Sequence, residues 1–172
     1  LDTKKLYSLF ASSAGVSTDT RKISKDEIYF SLKGDNFDGN NFALEAIKKG
    51  AKFSVVDDIK LKNANDKIIY VENTLKSLQE LSNYHRSLFD TKVIGITGSN
   101  GKTTTKNLIY SILSQSYGVI KTKGNLNNHI GVPLSLLDIN DDVDIAVIEM
   151  GANHIGEIKT LCEIAMPDFG LI

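Results

Sequence analysis

The 172-residue chain carries 20 Lys and Arg against 21 Asp and Glu, a formal net charge of −1, with 41% hydrophobic and 24% charged residues. That balance describes a globular protein of one ordinary or two small domains, and it offers nucleic acid or an anionic membrane no electrostatic hold. No apolar run nears the ~18 residues of a membrane span, and a single cysteine, Cys162, excludes an internal disulfide, so a reducing cytoplasm is the expected setting. The start at Leu1 without a leader and the stop at Phe169-Gly170-Leu171-Ile172 in what reads as mid-strand suggest a fragment of a longer protein.

Leu6, Leu9 and Phe10 space a helix within residues 1–14, and the polar stretch 15–21 reads as a loop. Residues 27–32 alternate like a strand, two dense turn clusters occupy 33–36 and 38–41, and a short helix spans 42–49 with Gly50 at its left-handed cap. Strands are expected at 53–56 and 67–71. Asn73 or Thr74 then caps a helix whose Leu75, Leu78, Leu81, Tyr84, His85 and Leu88 share helical spacing, with His85 read as packing. The polar patch Asp90-Thr91-Lys92 is the expected domain boundary, giving domains 1–90 and 91–172.

Beyond it the pattern becomes a regular strand and helix alternation. A strand at 92–97 precedes a helix at 102–115 with Leu108, Ile109, Ile112 and Leu113 inward, then a strand at 117–121. A loop at 122–132 leads to a helix starting at Pro133. An almost unbroken apolar strand covers 143–150, a helix 156–164 follows, and a strand opens at 169. The fold class is α/β: a small mixed amino-terminal domain followed by the start of a P-loop-type parallel-sheet ATPase domain.

The chemistry concentrates in Thr97-Gly98-Ser99-Asn100-Gly101-Lys102-Thr103-Thr104, an apolar strand running through a glycine-rich turn into a helix. Backbone N–H groups of such a turn converge on an anion, the helix start adds its positive dipole end, and Lys102 supplies a mobile cation. The commoner Gly-x-x-x-x-Gly-Lys-Thr spacing requires glycine at position 96, where this chain has Ile96, so the motif is a shorter variant. A nucleoside triphosphate with Mg2+ is the expected ligand. Gly98, Ser99, Asn100, Gly101, Lys102, Thr103 and Thr104 form the expected ATP contact, Thr103 being the hydroxyl for the ion. Glu149, closing an apolar strand, is the second expected metal ligand. The loop 123–133 packs three asparagines and two glycines, either a turn device or a set of neutral amides able to hold phosphate oxygens. Asn153 reads as a helix cap and His154 as a surface residue, proton carrier or phosphate contact.

Together these motifs, with Gly124-Asn125-Leu126-Asn127-Asn128-His129-Ile130-Gly131-Val132-Pro133-Leu134 and Glu149-Met150-Gly151-Ala152-Asn153-His154-Ile155-Gly156-Glu157-Ile158, resemble the Mur ligase family, whose phosphate loop has this shorter form. The last two motifs look like the branch that joins D-alanyl-D-alanine to UDP-N-acetylmuramoyl-tripeptide. The resemblance implies an ADP-forming amide ligase of cytoplasmic peptidoglycan precursor synthesis, with ATP and Mg2+ as cofactors and those two molecules as partners. It implies no nucleic acid, no membrane insertion and a monomer at full length. Lys102, Asn128 and His154 become the expected catalytic residues. The segments 17–21 and 33–42 are similar to the family's loops for the UDP moiety, making Ser17, Asp19, Thr20, Arg21, Lys33 and Gly34 the expected contacts, although Asn40 stands where a histidine is expected. The resemblance also implies that the remaining magnesium-binding histidine, a carbamoylated lysine and a carboxy-terminal domain lie outside these residues, so the fragment alone is expected to be inactive. The alternatives are another Mur ligase, a folylpolyglutamate synthetase-like ligase, or a P-loop switch module that gates binding instead of making bonds.

Overall fold

The computed structural model describes all residues, 1–172, and they cluster into two compact units, Leu1–Leu81 and Ser82–Ile172. The division falls inside a helix, ahead of the polar patch Asp90-Thr91-Lys92 where the domain boundary is expected.

In the first unit the helix α1 (Thr3–Ala11) is capped by Asp2, whose carboxylate accepts from Lys5 N, and it buries Leu6 and Phe10. Four strands then form a parallel sheet in the order β1 (Val16–Ser17), β2 (Ile28–Phe30), β5 (Phe53–Val56), β6 (Ile68–Tyr70). The expected loop at 15–21 thus contains a two-residue strand, too short to show any alternation. Residues of β2 are buried on both faces, as suits a parallel strand flanked by neighbours on either side. Between β2 and β5 lie the hairpin β3 (Lys33–Gly34) with β4 (Phe37–Asp38), a 3₁₀ turn at Gly39–Phe42, and α2 (Ala43–Lys48).

The helix α3 (Thr74–Arg86) starts at Asn73, whose side-chain oxygen accepts from Lys76 N at 2.8 Å. Leu78 and Leu81 are fully buried, but Leu88 falls beyond the helix and is exposed, so the expected stripe ends one turn early. His85 is buried, its Nε2 donating to the Ile139 carbonyl at 2.8 Å and its ring 4.8 Å from that of Phe89.

The second unit is built on another parallel sheet, ordered β10 (Phe169–Leu171), β7 (Lys92–Ile96), β9 (Ile145–Glu149), β8 (Val119–Lys121). Its helices are α4 (Lys102–Leu113), α5 (Gly131–Leu136) and α6 (Glu157–Ala165). The core joins Val93, Ala146 and Ile148 of the sheet to Val132 and Leu136 of α5 and Leu161 and Ile164 of α6. Two expectations fail here. In α4 the only buried residue is Lys106, while Leu108 and Ile112 face solvent, so the helix turns a different stripe inward from the one predicted. And α5 begins at Gly131, two residues before Pro133, because the Asn128 side-chain oxygen accepts from both Ile130 N and Gly131 N and starts the helix earlier. Gly131 is obligatory for another reason: a Cβ there would collide with the backbone of Leu126.

Candidate active site

At the carboxyl end of β7 the chain turns through Gly98 and Gly101, whose φ angles of +130° and +80° lie in the region that only glycine enters without strain. Gly101 is the residue ahead of α4, and no side chain caps this 12-residue helix. Its first amides are therefore left without a side-chain acceptor at the positive end of the dipole, the arrangement that receives anions. Lys102 folds back so that Nζ donates to the Gly98 carbonyl at 2.5 Å. The cation thereby sits over the bend, while Ser99, Asn100, Thr103 and Thr104 lie exposed around it.

Strand β9 runs beside β7 with Glu149 in register with Ile96, which brings its carboxylate to the start of α4. Glu149 does not reach water; it is 3% exposed. Thr103 Oγ1 donates to Glu149 Oε2 at 3.0 Å, Lys106 Nζ lies 2.9 Å from the same oxygen, and Asn127 Nδ2 donates to Oε1 at 2.9 Å. The Glu149 backbone N–H donates to Thr122 Oγ1. Burial pushes the carboxyl's pKa up, but the bonds from Lys106, Asn127 and Thr103 outweigh it and hold the group below its ordinary value.

The structure thus unites the two expected metal ligands. Two hard oxygens 3.0 Å apart beside an open helix start suit Mg2+, and the chain has no cluster of three or more His, Cys, Asp or Glu side chains that would form a protein cage. A site with few protein ligands is the kind magnesium shares with phosphate oxygens. Lys106 and the specific bond from Asn127 were not foreseen. The available signal was spacing: Lys106 follows Lys102 by one helical turn, on the same side as Thr103.

A cavity of about 540 Å³ opens beside the bend, lined by Lys102, Asn127, Asn128, Gly151, Asn153 and Glu157 among others. Asn128 therefore faces the same space as Lys102, although its side-chain oxygen is engaged in starting α5. His154 is exposed and does not line the cavity; its neighbours Asn153 and Glu157 do. Asn153 does not cap α6. The reverse holds, since Glu157 Oε2 accepts from the backbone N–H of Asn153 at 2.6 Å and of His154 at 3.2 Å.

A second cavity of about 540 Å³ lies in the first unit, lined by Asp19, Thr20, Arg21, Phe37, Phe42 and Glu45 with Thr18. Asp19 and Arg21 form a two-bond pair at 2.9 and 2.8 Å. Phe37 and Phe42, not foreseen, stack with ring centres 5.4 Å apart. Ser17 lies behind this lining, its hydroxyl donating to the Asp19 carbonyl. Lys33 and Gly34 are not brought to the cavity; Lys33 Nζ pairs instead with Asp57 at 2.8 Å. Asn40 is buried, donating to Asp38 and Asp57 and accepting from Ser31, so its polar groups serve the fold.

Comparison with known proteins agrees with this geometry. The family model for the catalytic domain of the Mur ligase family matches residues 13–86, and that for the Mur ligase middle domain matches 96–172. The chain is 44% identical over 160 residues to the UDP-N-acetylmuramoyl-tripeptide--D-alanyl-D-alanine ligase of Bacillus subtilis (strain 168), covering 92% of this chain and 35% of that one. It is 39% identical to the Escherichia coli (strain K12) enzyme of the same name, covering 91% and 34%. Among solved structures, MurF from Acinetobacter baumannii superposes with a TM-score of 0.84 at 32% identity, covering 98% of this chain and 39% of that one. MurF from Thermotoga maritima in complex with ADP gives 0.80 at 35% identity, covering 91% and 36%. The chain spans about a third of the length of these curated relatives, 35% and 34% in the two cases above. No helix is long and apolar enough to cross a membrane. With both units matched in order and the glycine bend, buried acid and asparagine loop in place, the chain belongs to the Mur ligase family.

Proposed function

We propose that the chain is the nucleotide-handling part of an ATP-dependent ligase that joins D-alanyl-D-alanine to UDP-N-acetylmuramoyl-tripeptide in peptidoglycan precursor synthesis. The observation that carries this reading is an open cavity lined by Lys102, at an uncapped helix start, and by Asn127, which with Thr103 holds the buried Glu149 carboxylate behind that lining. The relatives' names supply the substrates.

In this reading the amides after Gly98 and Gly101 and the Lys102 ammonium hold the β- and γ-phosphates of ATP, and Thr103 with Glu149 would hold Mg2+. The ion, when bound, supplies positive charge that lowers the repulsion between two approaching anions. The tripeptide's terminal carboxylate attacks the γ-phosphorus and ADP leaves, giving an acyl phosphate. The dipeptide amine then attacks the acyl carbon, phosphate departs, and the amine's proton is lost as the amide forms. Asn128 is assigned to orienting the transferred group, and His154 to the rim of the site, where it would have to move inward to touch substrate. The cavity bounded by Asp19, Thr20, Arg21 and the stacked Phe37 and Phe42 is assigned to the UDP end of the nucleotide substrate, within a domain division of 1–90 and 91–172.

The test is ADP release by the complete gene product. Release is expected only when UDP-N-acetylmuramoyl-tripeptide and D-alanyl-D-alanine are both present. ATP hydrolysis indifferent to the two substrates, or no ATP consumption with both, would overturn the proposal.

A further inference from the structure

Lys106 is the one buried residue of α4, and its side chain and that of Glu149 are each 3% exposed. A lysine is almost never buried to this degree without a dedicated partner. Its Nζ lies 2.9 Å from Glu149 Oε2 and donates to the Gly124 carbonyl at 3.3 Å, so one ammonium joins α4, the acid at the end of β9 and the start of the asparagine loop. Glu149 Oε2 is also the oxygen that accepts from Thr103 Oγ1. The oxygen assigned to the divalent ion is therefore already occupied by a cation belonging to the protein.

We propose that Lys106 is a positioning residue that stands in for the divalent cation. Its ammonium holds Glu149 Oε2 against the Thr103 hydroxyl while no metal is bound, and it shares that oxygen with the metal when Mg-nucleotide arrives. This rests on the reading of Thr103 and Glu149 as the metal's ligands. The physical reason is charge: a carboxylate this deeply buried needs a positive neighbour, and removing that neighbour leaves an uncompensated ion. A permanent partner keeps the site shaped in the empty protein. The same partner lowers the affinity for free metal, so the ion enters with nucleotide phosphates that bring further ligands.

The test compares the wild type with Lys106→Met in the complete gene product, without nucleotide, by thermal unfolding in EDTA and in excess Mg2+ and by Mn2+ binding followed through electron paramagnetic resonance. Wild-type unfolding is expected to be insensitive to Mg2+. Lys106→Met is expected to unfold at lower temperature in EDTA, to recover on adding Mg2+, and to bind Mn2+ about tenfold or more tightly than wild type, because a metal that binds only the folded state stabilises it. The double variant Lys106→Met/Glu149→Gln removes both charges and is expected to lose the Mg2+ response. A Lys106→Met protein whose stability ignores Mg2+ and whose Mn2+ affinity is no higher than wild type overturns the inference.

Refolding from denaturant covers the case in which Lys106→Met is not recovered folded. Refolding that requires Mg2+ supports the proposal, and failure with and without Mg2+ overturns it, whether or not the double variant refolds. Activity separates the two levels. If the wild type consumes ATP with both substrates while Lys106→Met shows no metal response, only the role of Lys106 falls. A wild type that does not bind Mg-ATP removes the assignment beneath it.

Discussion

Each unit contains an acid at the carboxyl end of a parallel strand, partly buried in the first and buried in the second, held by a lysine, an asparagine and a threonine. In the first unit Asp57 follows β5 and meets Lys33, Asn40 and Thr74; in the second Glu149 ends β9 and meets Lys106, Asn127 and Thr103. The chemistry is matched, and the surroundings differ. Lys33 is 49% exposed at the open end of a hairpin, whereas Lys106 is 3% exposed inside a helix. Thr74 opens a helix capped by Asn73 and also donates to the Ser31 carbonyl, whereas Thr103 lies in the first turn of a helix with no side-chain cap. A saturated helix start makes the first trio a clasp between segments of the fold. An open one, beside a cavity, leaves the second trio able to receive a ligand. What separates the two sites is which hydrogen-bonding groups are left unfilled, more than which residue types are assembled.

Replacing Lys102, which lines the cavity beside the second trio, by Ala removes the proposed phosphate contact and is expected to lower turnover by about 10³-fold or more in the complete gene product, the scale of other charged stabilisers of phosphoryl transfer. Steady-state ADP release would measure it, and a loss below about tenfold would remove Lys102 from the role.

The two acids offer a more direct contrast. Glu149→Gln leaves the Lys106 ammonium buried without its counterion and is expected to cost about 3–5 kcal/mol. Asp57→Asn leaves a lysine that can turn to water, so about 1 kcal/mol is expected. Urea unfolding of both variants decides the matter, and equal losses would mean that lysine exposure does not separate the two sites.

The smallest effect is one of pH. The folded-state pKa of Asp57 lies below its ordinary 3.8 because bonds from Lys33, Asn40 and Thr74 outweigh the opposing effect of burial. Its contribution is therefore complete above that ordinary value and is lost as pH falls through the lowered one. Glu149 behaves likewise from its ordinary 4.5. His85 is different: burial pushes its pKa below the ordinary 6.5, against a raising effect from the Ile139 carbonyl, so the unfolded chain takes up the proton first. Stability from neutral His85 is full above 6.5 and declines as pH drops beneath it. The second unit is thus expected to begin weakening at a higher pH than the first. Amide exchange followed between pH 7 and 5 would show it, and simultaneous loss in both units would contradict it.

The bend through Gly98 and Gly101 was legible because it is made by the backbone, and glycine spacing states backbone geometry directly. The long apolar strand ending in Glu149 was legible for a related reason: burial on both faces leaves a continuous run. Contacts set by side-chain direction were harder to read. Leu108, Ile109, Ile112 and Leu113 offer α4 two overlapping stripes, and periodicity cannot choose between them; the structure turns Lys106 inward and leaves Leu108 and Ile112 outside. A lysine among apolar residues reads as surface until its carboxylate partner, distant in sequence, is known. The start of α5 was misplaced because Pro133 is a strong local signal, whereas Asn128 acts by reaching two and three residues forward. Lys33 was assigned from its motif alone, and nothing in the motif announces Asp57 as the ammonium's partner.

The bare start of α4 has a consequence for motion as well as for binding. A helix whose leading amides have no acceptor of their own is least firmly wound at that end, and an arriving anion supplies the missing bonds. On the proposed role, order in the first turn after Gly101 is therefore tied to occupancy: a segment that grips the ligand would also be tightened by it, and its solvent protection would become an internal gauge of whether the pocket is filled.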